Sequence, residues 1–236
     1  MNKLPAQKVN GLIDGIEVLQ ALAMAGKATS GKAIADKLGL NSVRVNRLLK
    51  TLDHLGLAHR DSSRRYSIGS AMHVLAAQSM AASGLLARAL PQLQKLSKLG
   101  RVVALGVLWK DQVCYLYHNN DPDDFNAGLS KVKLYPALES SIGVALLAEL
   151  DEMQLQLTLG ERYTLKVKKM LKKFSQSGFA ALKHSDHTSL AIPIGKPAYA
   201  ALAISGIKNA DEQKEFQKLL EKAVLEINKG SYHAYN

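Results

Sequence analysis

Two short stretches of this sequence hold side chains whose types and spacing suit chemistry. In residues 41–52, NSVRVNRLLKTL, the residues Val45, Leu48, Leu49 and Leu52 follow the i, i+3, i+4, i+7 spacing of one helical stripe. The other face carries Ser42, Val43, Arg44, Asn46, Arg47 and Lys50. Arg44 or Arg47 can pair bidentately with a guanine edge, Asn46 with adenine, and Val43 can meet a thymine methyl. In residues 184–187, His184, Asp186 and His187 are of the types that ligate a divalent metal, and with serine they are the types of a hydrolase triad. Adjacent loop residues rarely converge on one ion without further ligands, and a triad needs side chains from separate elements plus an oxyanion hole. The sequence therefore predicts a solvated loop at 184–187, no cofactor, and no enzyme; a metal-binding or hydrolytic role for this loop is the lesser alternative.

The elements around the first stretch decide what it can do. A helix is expected from about Leu12 to Ala25, with Leu12, Ile16, Leu19 and Ala23 inward and Gly26 as its left-handed cap. Ser30 caps a short second helix carrying Ile34 and Leu38. After the Gly39-Leu40 turn, Asn41 caps a third helix that runs to about Leu55. Leu57–Arg60 and Arg65–Ile68 flank the polar turn Asp61-Ser62-Ser63-Arg64 as a hairpin. Three helices and a hairpin in this order form a winged helix-turn-helix, whose second paired helix enters a major groove. Ser30 and Lys50 then fall near phosphate, and Arg60, Arg64 and Arg65 make a basic wing. A solvated helix in a protein-binding module is the competing reading.

Composition supports the nucleic-acid reading without proving it. The formal net charge is +11, and 47 % hydrophobic with 22 % charged residues is a globular mixture. Residues 1–69 hold 11 Lys+Arg against 5 Asp+Glu, and residues 70–236 hold 20 against 15, so the first segment is the more basic per residue. The lone Cys114 excludes an internal disulfide, suits a reducing compartment, and is expected to be buried in a strand. No signal-peptide core follows the N-terminus, and the uncharged run Gly69–Ala87 is too polar and alanine-rich to span a bilayer. A cytoplasmic protein with no membrane partner is expected.

The three regions expected are a DNA-binding domain at 1–69, a small-residue linker and dimerisation helix at 70–87, and an α+β domain with a mainly antiparallel sheet at 88–236. In the last, strands are expected at Val102–Trp109, Gln112–His118, Leu129–Tyr135, Thr188–Ile194 and Ala198–Ile204. Helices are expected at Ser140–Leu150, Tyr163–Ser175 and Asp211–Asn228. The lysine-rich segment 162–173 is read as a helix packed by Val167, Met170, Leu171 and Phe174, with lysines in water.

The run GLNSVRVNRLLKTLDHLGL with Arg65-Tyr66-Ser67-Ile68-Gly69 resembles the N-terminal domain of IclR-type transcriptional regulators. So do Leu138–Ala148, LESSIGVALLA, Ser177–Ala180 and Ser189–Gly206, so the resemblance covers nearly the whole chain. It implies a repressor or activator that forms homodimers or tetramers on double-stranded DNA at a palindromic operator. It also implies a GAF-like C-terminal domain that binds a small carboxylate-bearing effector through Gly128, Ser141, Ile142, Gly143, Ser189 and Ser205. Ser141, Ile142 and Gly143 open a helix, where free N–H groups favour a carboxylate. Two departures stand out: the loop at 182–187 is short, and Ser189 occupies the place of a common cysteine. They imply either an effector unlike the usual acids or a regulator with no ligand control.

Overall fold

The computed structural model describes residues 7–119, 121, 124–129 and 134–229. It divides into two compact units, one ending at Ala82 and one beginning at Ser83.

The first unit contains α1 (Asn10–Ala25), α2 (Gly31–Leu38), α3 (Ser42–His54), β1 (Ala58–Arg60), β2 (Tyr66–Ile68) and α4 (Ala71–Ser83). The helix ends follow from local chemistry. The Ser30 hydroxyl accepts from the Ala33 N–H at 3.2 Å, and Asn41 Oδ1 accepts from the Val43 and Arg44 N–H groups. Val18, Ala21 and Leu22 of α1 pack with Ile34, Ala35, Val45, Leu49, Leu52, Ala58 and Tyr66. The β1–β2 hairpin gains a bridge on its β2 edge where the N–H and carbonyl of Thr29 pair with Tyr66.

The inward face of α1 differs from the expected one. Leu12 and Ile16 are exposed at 62 % and 43 %, Ala23 is exposed, and only Leu19 of the expected stripe packs on the core. Both sides of α1 are apolar, so the period alone does not choose between them. The inward side is the one that faces Leu48 of α3, which lies 3.8 Å from where a Cβ on Gly15 would stand, an ordinary contact distance. The linker helix also ends earlier than expected. α4 stops at Ser83, and Gly84 takes a left-handed φ of 58° before α5 starts.

The second unit contains α5 (Leu85–Ser97), β3 (Val102–Trp109), β4 (Gln112–Asn119), β5 (Leu134–Pro136), α6 (Ser141–Leu147), α7 (Glu152–Leu159) and α8 (Leu165–Ser177), then β6 (Ala180–Lys183), β7 (Thr188–Ile194), β8 (Ala200–Ile207) and α9 (Ala210–Asn228). One antiparallel sheet runs in the order β5-β4-β3-β8-β7-β6. Its two faces are chemically different. Val103, Leu105, Leu190, Ile192, Leu202 and Ile204 meet α5 and α9, whereas Ala104, Ala180, Ala191, Ala201 and Ala203 meet α6 and α8. The alanine face leaves room for α6 to lie close, and all seven α6 residues are buried.

The expected strand at Leu129–Tyr135 is shorter: Leu129 ends a 3-10 turn, residues 130–133 lie outside the described residues, and pairing occurs only at Leu134–Pro136. Leu182 and Lys183, expected in a loop, belong to β6. On α8, Leu171 is buried, Val167, Met170 and Phe174 pack beside it, and Lys166, Lys168, Lys169, Lys172 and Lys173 are exposed. Among the described residues, no helix is long and apolar enough to cross a membrane.

Candidate functional site

The exposed face of α3 is the first candidate. At about 100° per residue, Val43, Arg47 and Lys50 fall within a sector of roughly 60°, opposite the buried Val45, Leu49 and Leu52. All three outward residues are exposed, Val43 by 69 %. Asn46 and Arg44 lie on the two flanks. Asn46 is set against α2, with its Oδ1 2.5 Å from where a Cβ on Gly31 would stand. Arg44 turns toward α1, where its Nε is 2.5 Å from Asp14 Oδ2, an ion pair too poorly aligned to count as a hydrogen bond. Ser42 is exposed at the helix start, and the exposed Ser30 spends an acceptor lone pair on its own helix cap.

The wing sorts its arginines in the same way. The Arg60 guanidinium lies over the Tyr66 ring, 5.7 Å from the centroid, and the Arg60 N–H donates to Asp53 of α3. Arg65 donates to Asp61 from both its backbone N–H, at 2.8 Å, and its Nε, at 3.1 Å. These bonds, the backbone one foremost, hold the half-buried Asp61 carboxyl below the ordinary carboxylate range. Arg64 is fully on the surface at the turn, with φ of +62°, a region that costs a long side chain energy.

The second candidate is a cavity of about 550 Å³ on the alanine face of the sheet. Ser141, Ile142, Ser189 and Ser205 line it, as do Ser140, Tyr115, His118, Tyr135, Glu139, His184 and His187, which the sequence did not single out for binding there. Two irregularities in the sheet aim these side chains. A bulge between β3 and β4 lets Tyr115 pair with Gly106 and Tyr117 with Leu105, so Tyr115 joins His118 on the cavity face while Tyr117 faces the other core. Between β7 and β8 the register shifts at Thr188/Leu190, and Gly206 takes φ of +89°, which keeps Ser189 and Ser205 on the cavity face.

Hydrogen bonds fix several of these groups. The Tyr115 hydroxyl is 2.9 Å from Ser140 Oγ, which also accepts from the Gly143 N–H. Burial is the main force that pushes the Tyr115 phenol up, so it stays protonated near neutral pH. His184 Nε2 is 2.9 Å from Ser189 Oγ, and the His184 and His187 rings stack with centroids 4.5 Å apart. The His187 ring bonds through Nδ1 to Asp186 Oδ1 at 2.7 Å, and this contact holds the Asp186 carboxyl low.

Two residues expected at the cavity, Gly128 and Gly143, are not among its described lining residues. Gly128 lies under the Tyr117 ring, 2.5 Å from where its Cβ would stand, and does not line the cavity. Gly143 also stays out of the lining; a Cβ there would be 2.2 Å from the Ala137 carbonyl, so its smallness lets α6 seat itself. The serine, histidine and aspartate of this region do not form a relay. Ser189 is bonded to His184 and Asp186 to His187, and the two rings are stacked and not hydrogen-bonded in series. Among the described residues, no three His, Cys, Asp or Glu side chains converge as a metal site. Cys114 is half-buried, and burial pushes its thiol up, away from the reactive thiolate form.

Comparison with known proteins assigns these features to a family architecture. Residues 14–62 match the IclR helix-turn-helix domain. No curated protein sequence matches the chain. The structure is similar to that of an IclR transcriptional regulator of Silicibacter sp. TM1040, with a TM-score of 0.78 and 19 % identity over 93 % of this chain and 95 % of that one. An IclR family transcriptional regulator of Brucella abortus superposes with a TM-score of 0.75 and 21 % identity, over 98 % and 96 % of the two chains. An IclR homologue of Microbacterium hydrocarbonoxydans, solved in complex with 4-hydroxybenzoate, gives a TM-score of 0.66 and 20 % identity over 93 % and 98 %. Residues 14–62 therefore match the IclR helix-turn-helix domain, and the chain as a whole shares the fold of these IclR regulator structures.

Proposed function

We propose that this protein is a sequence-specific DNA-binding transcription regulator controlled by a small molecule held in the cavity of its second unit. The observation that carries the reading is the outward row Val43, Arg47 and Lys50 on α3 within an IclR helix-turn-helix domain, beside the exposed Arg64 of the wing. Arg47 and Val43 read base edges, and Lys50 and Arg64 meet the backbone. Ser30, Ser42, Arg44, Asn46, Arg60 and Arg65 shape and flank that surface.

The working unit is a homodimer or tetramer on a palindromic operator. Support comes from exposed apolar side chains on two helices: Val9, Leu12, Ile13 and Ile16 at the start of α1, and Val74, Leu75 and Met80 on α4. The effector is a small carboxylate, and the cavity offers it hydroxyls from Ser140, Ser141, Ser189 and Ser205 and imidazole from His184. The 4-hydroxybenzoate bound by the Microbacterium protein is a ligand of this kind. Its occupancy resets the spacing of two α3 helices, which must match half-sites roughly 34 Å apart. A lined cavity of this size favours ligand control over a constitutive regulator.

Binding of the purified protein to duplex from its own upstream region, measured across salt concentrations, tests the reading. A preference over random duplex is expected, with log affinity falling against log salt by about 0.9 per phosphate contacted. Equal affinity for both duplexes at every salt concentration overturns it.

A further inference from the structure

Helix α8 holds five lysines in 13 residues and neither an aspartate nor a glutamate. Lys168 is paired with Glu152 of α7. At about 100° per residue, the other four, Lys166, Lys169, Lys172 and Lys173, share a sector of roughly 120° on the side turned from the buried Leu171, and all four are exposed. This arrangement works against the helix itself. Lys169 has like charges three residues before it and three and four residues after it, the spacings at which ammonium groups repel. Lys166 stands in a first turn that holds no acidic residue, where the helix dipole disfavours a cation. Helix α9 is built the other way, with Lys214, Lys218 and Lys222 interleaved with Glu215 and Glu221. Mixed signs of that kind mark a face that meets only water.

A polyanion removes the repulsion on α8. Lys166 to Lys173 covers about 10 Å of helix axis, so the four ammonium groups come to one per roughly 2.6 Å, against one phosphate charge per about 1.7 Å of duplex DNA. Other acidic partners fit less well. A helix that lies on a membrane needs a free apolar face, and here Val167, Met170, Leu171 and Phe174 are packed into the core of the second unit. A protein partner is met by aromatic side chains and arginine at the centre of the contact, whereas this sector offers lysine with Leu165 and Gln176.

We propose that the lysine face of α8 binds the phosphate backbone of duplex DNA without regard to sequence, as a second contact made by the unit that also holds the cavity. The choice of DNA among polyanions rests on the reading of the first unit as DNA-binding. Once α3 is seated, the duplex is held at high effective concentration around the rest of the same chain, and lysine contacts too weak to bind alone add to the affinity. They supply strength and salt dependence and no discrimination among bases.

Two variants of the full-length chain test this. One combines Lys166→Gln, Lys169→Gln, Lys172→Gln and Lys173→Gln; the control combines Lys208→Gln, Lys214→Gln, Lys218→Gln and Lys222→Gln, which removes the same charge from other exposed positions. Binding to upstream and random duplexes is measured across salt concentrations. The α8 variant should flatten the slope of log affinity against log salt by about 2 to 4, at about 0.9 per phosphate, equally on both duplexes. The ratio of the two affinities should not change. The control should flatten the slope by less than about 1. Lys169→Gln with Lys173→Gln should give about half the flattening of the fourfold variant, and decides the matter alone if that variant does not fold. An unchanged slope, or equal flattening in the control, overturns the proposal. So does binding to vesicles of anionic phospholipid that the α8 substitutions abolish while the DNA slope stays as it was. Equal affinity of the unsubstituted chain for both duplexes strikes the reading of α3 and leaves the slope test standing, and no duplex binding at all removes both.

Discussion

Arg44 and Arg47 stand one helical turn apart on α3, and the proposed reading gives them opposite duties. Arg47 lies in the outward sector with Val43 and Lys50, whereas Arg44 is drawn to Asp14 of α1 at 2.5 Å. Arg47→Ala removes a groove contact and leaves the fold alone. Loss of a bidentate base contact costs about 1–3 kcal/mol, or roughly 5- to 150-fold in affinity, concentrated at one base pair of each half-site. Arg44→Ala removes a surface ion pair. Arg44 is 46 % exposed and Asp14 is 14 % exposed, so its contribution to stability is at most about 1 kcal/mol. Its effect on binding should fall equally on preferred and random duplexes, because a slightly loosened α3 presents every sequence less well. Fluorescence anisotropy on a duplex selected from a randomised library, with each of its base pairs changed in turn, separates the two patterns. Asp14→Ala should reproduce the Arg44→Ala stability change, and the double substitution should add little beyond either single one. Loss of discrimination at a base pair in Arg44→Ala, with discrimination intact in Arg47→Ala, would refute the division of labour.

Three other perturbations probe the scaffold. Gly69→Ala would place a Cβ 2.1 Å from the Gly56 carbonyl oxygen and 2.7 Å from that of Ala58; backbone cannot swing aside, so a loss of about 1–3 kcal/mol is expected as an earlier urea transition of the first unit. Cys114 should react with a disulfide reagent at neutral pH more slowly than a small free thiol, and should gain reactivity on denaturation; an equal rate in the folded chain would contradict its raised thiol pKa. Asp61, held low in the folded wing, contributes fully above the ordinary carboxylate pKa of 3.8 and loses that contribution as pH falls through its lower folded value. Amide exchange at Arg65 should therefore quicken in acid relative to a base-corrected reference, and Asp61→Asn should abolish that acid-dependent component.

Local signals carried most of the first unit. Ser30, Asn41 and Gly39 announce helix ends through groups within four residues of themselves, and the structure uses each as expected. The side of α1 that faces inward is not local information, because Leu12 and Ile16 are as apolar as Val18 and Leu22 and only the packing of α2, α3 and the hairpin separates them. The cavity illustrates the same limit. Ser189 and Ser205 stand in motifs that resemble a known family, but Tyr115 and His118 reach the site through a bulge that a strand's period of two does not reveal. At Gly128 and Gly143 an aromatic ring and a carbonyl oxygen leave no room for a Cβ, a packing demand that local sequence does not reveal. In α7, Met153, Leu155, Leu157 and Leu159 alternate as in a strand, and the helix is declared only by the reciprocal Asp151–Gln154 cap.

The pairing of β3 with β8 has a consequence for how the protein is made. Val102 pairs with Ser205 and Ala104 with Ala203, so the centre of the sheet joins segments about a hundred residues apart in sequence. Translation delivers the DNA-binding helices first, and their contacts span only a few tens of residues, so that unit can form while the rest is still being synthesised. The sheet must wait for β8. Val102, Ala104, Ala203 and Ser205 also line the cavity, so the cavity arises at the seam that closes last. A nascent chain can therefore complete its helix-turn-helix before the cavity of the second unit exists.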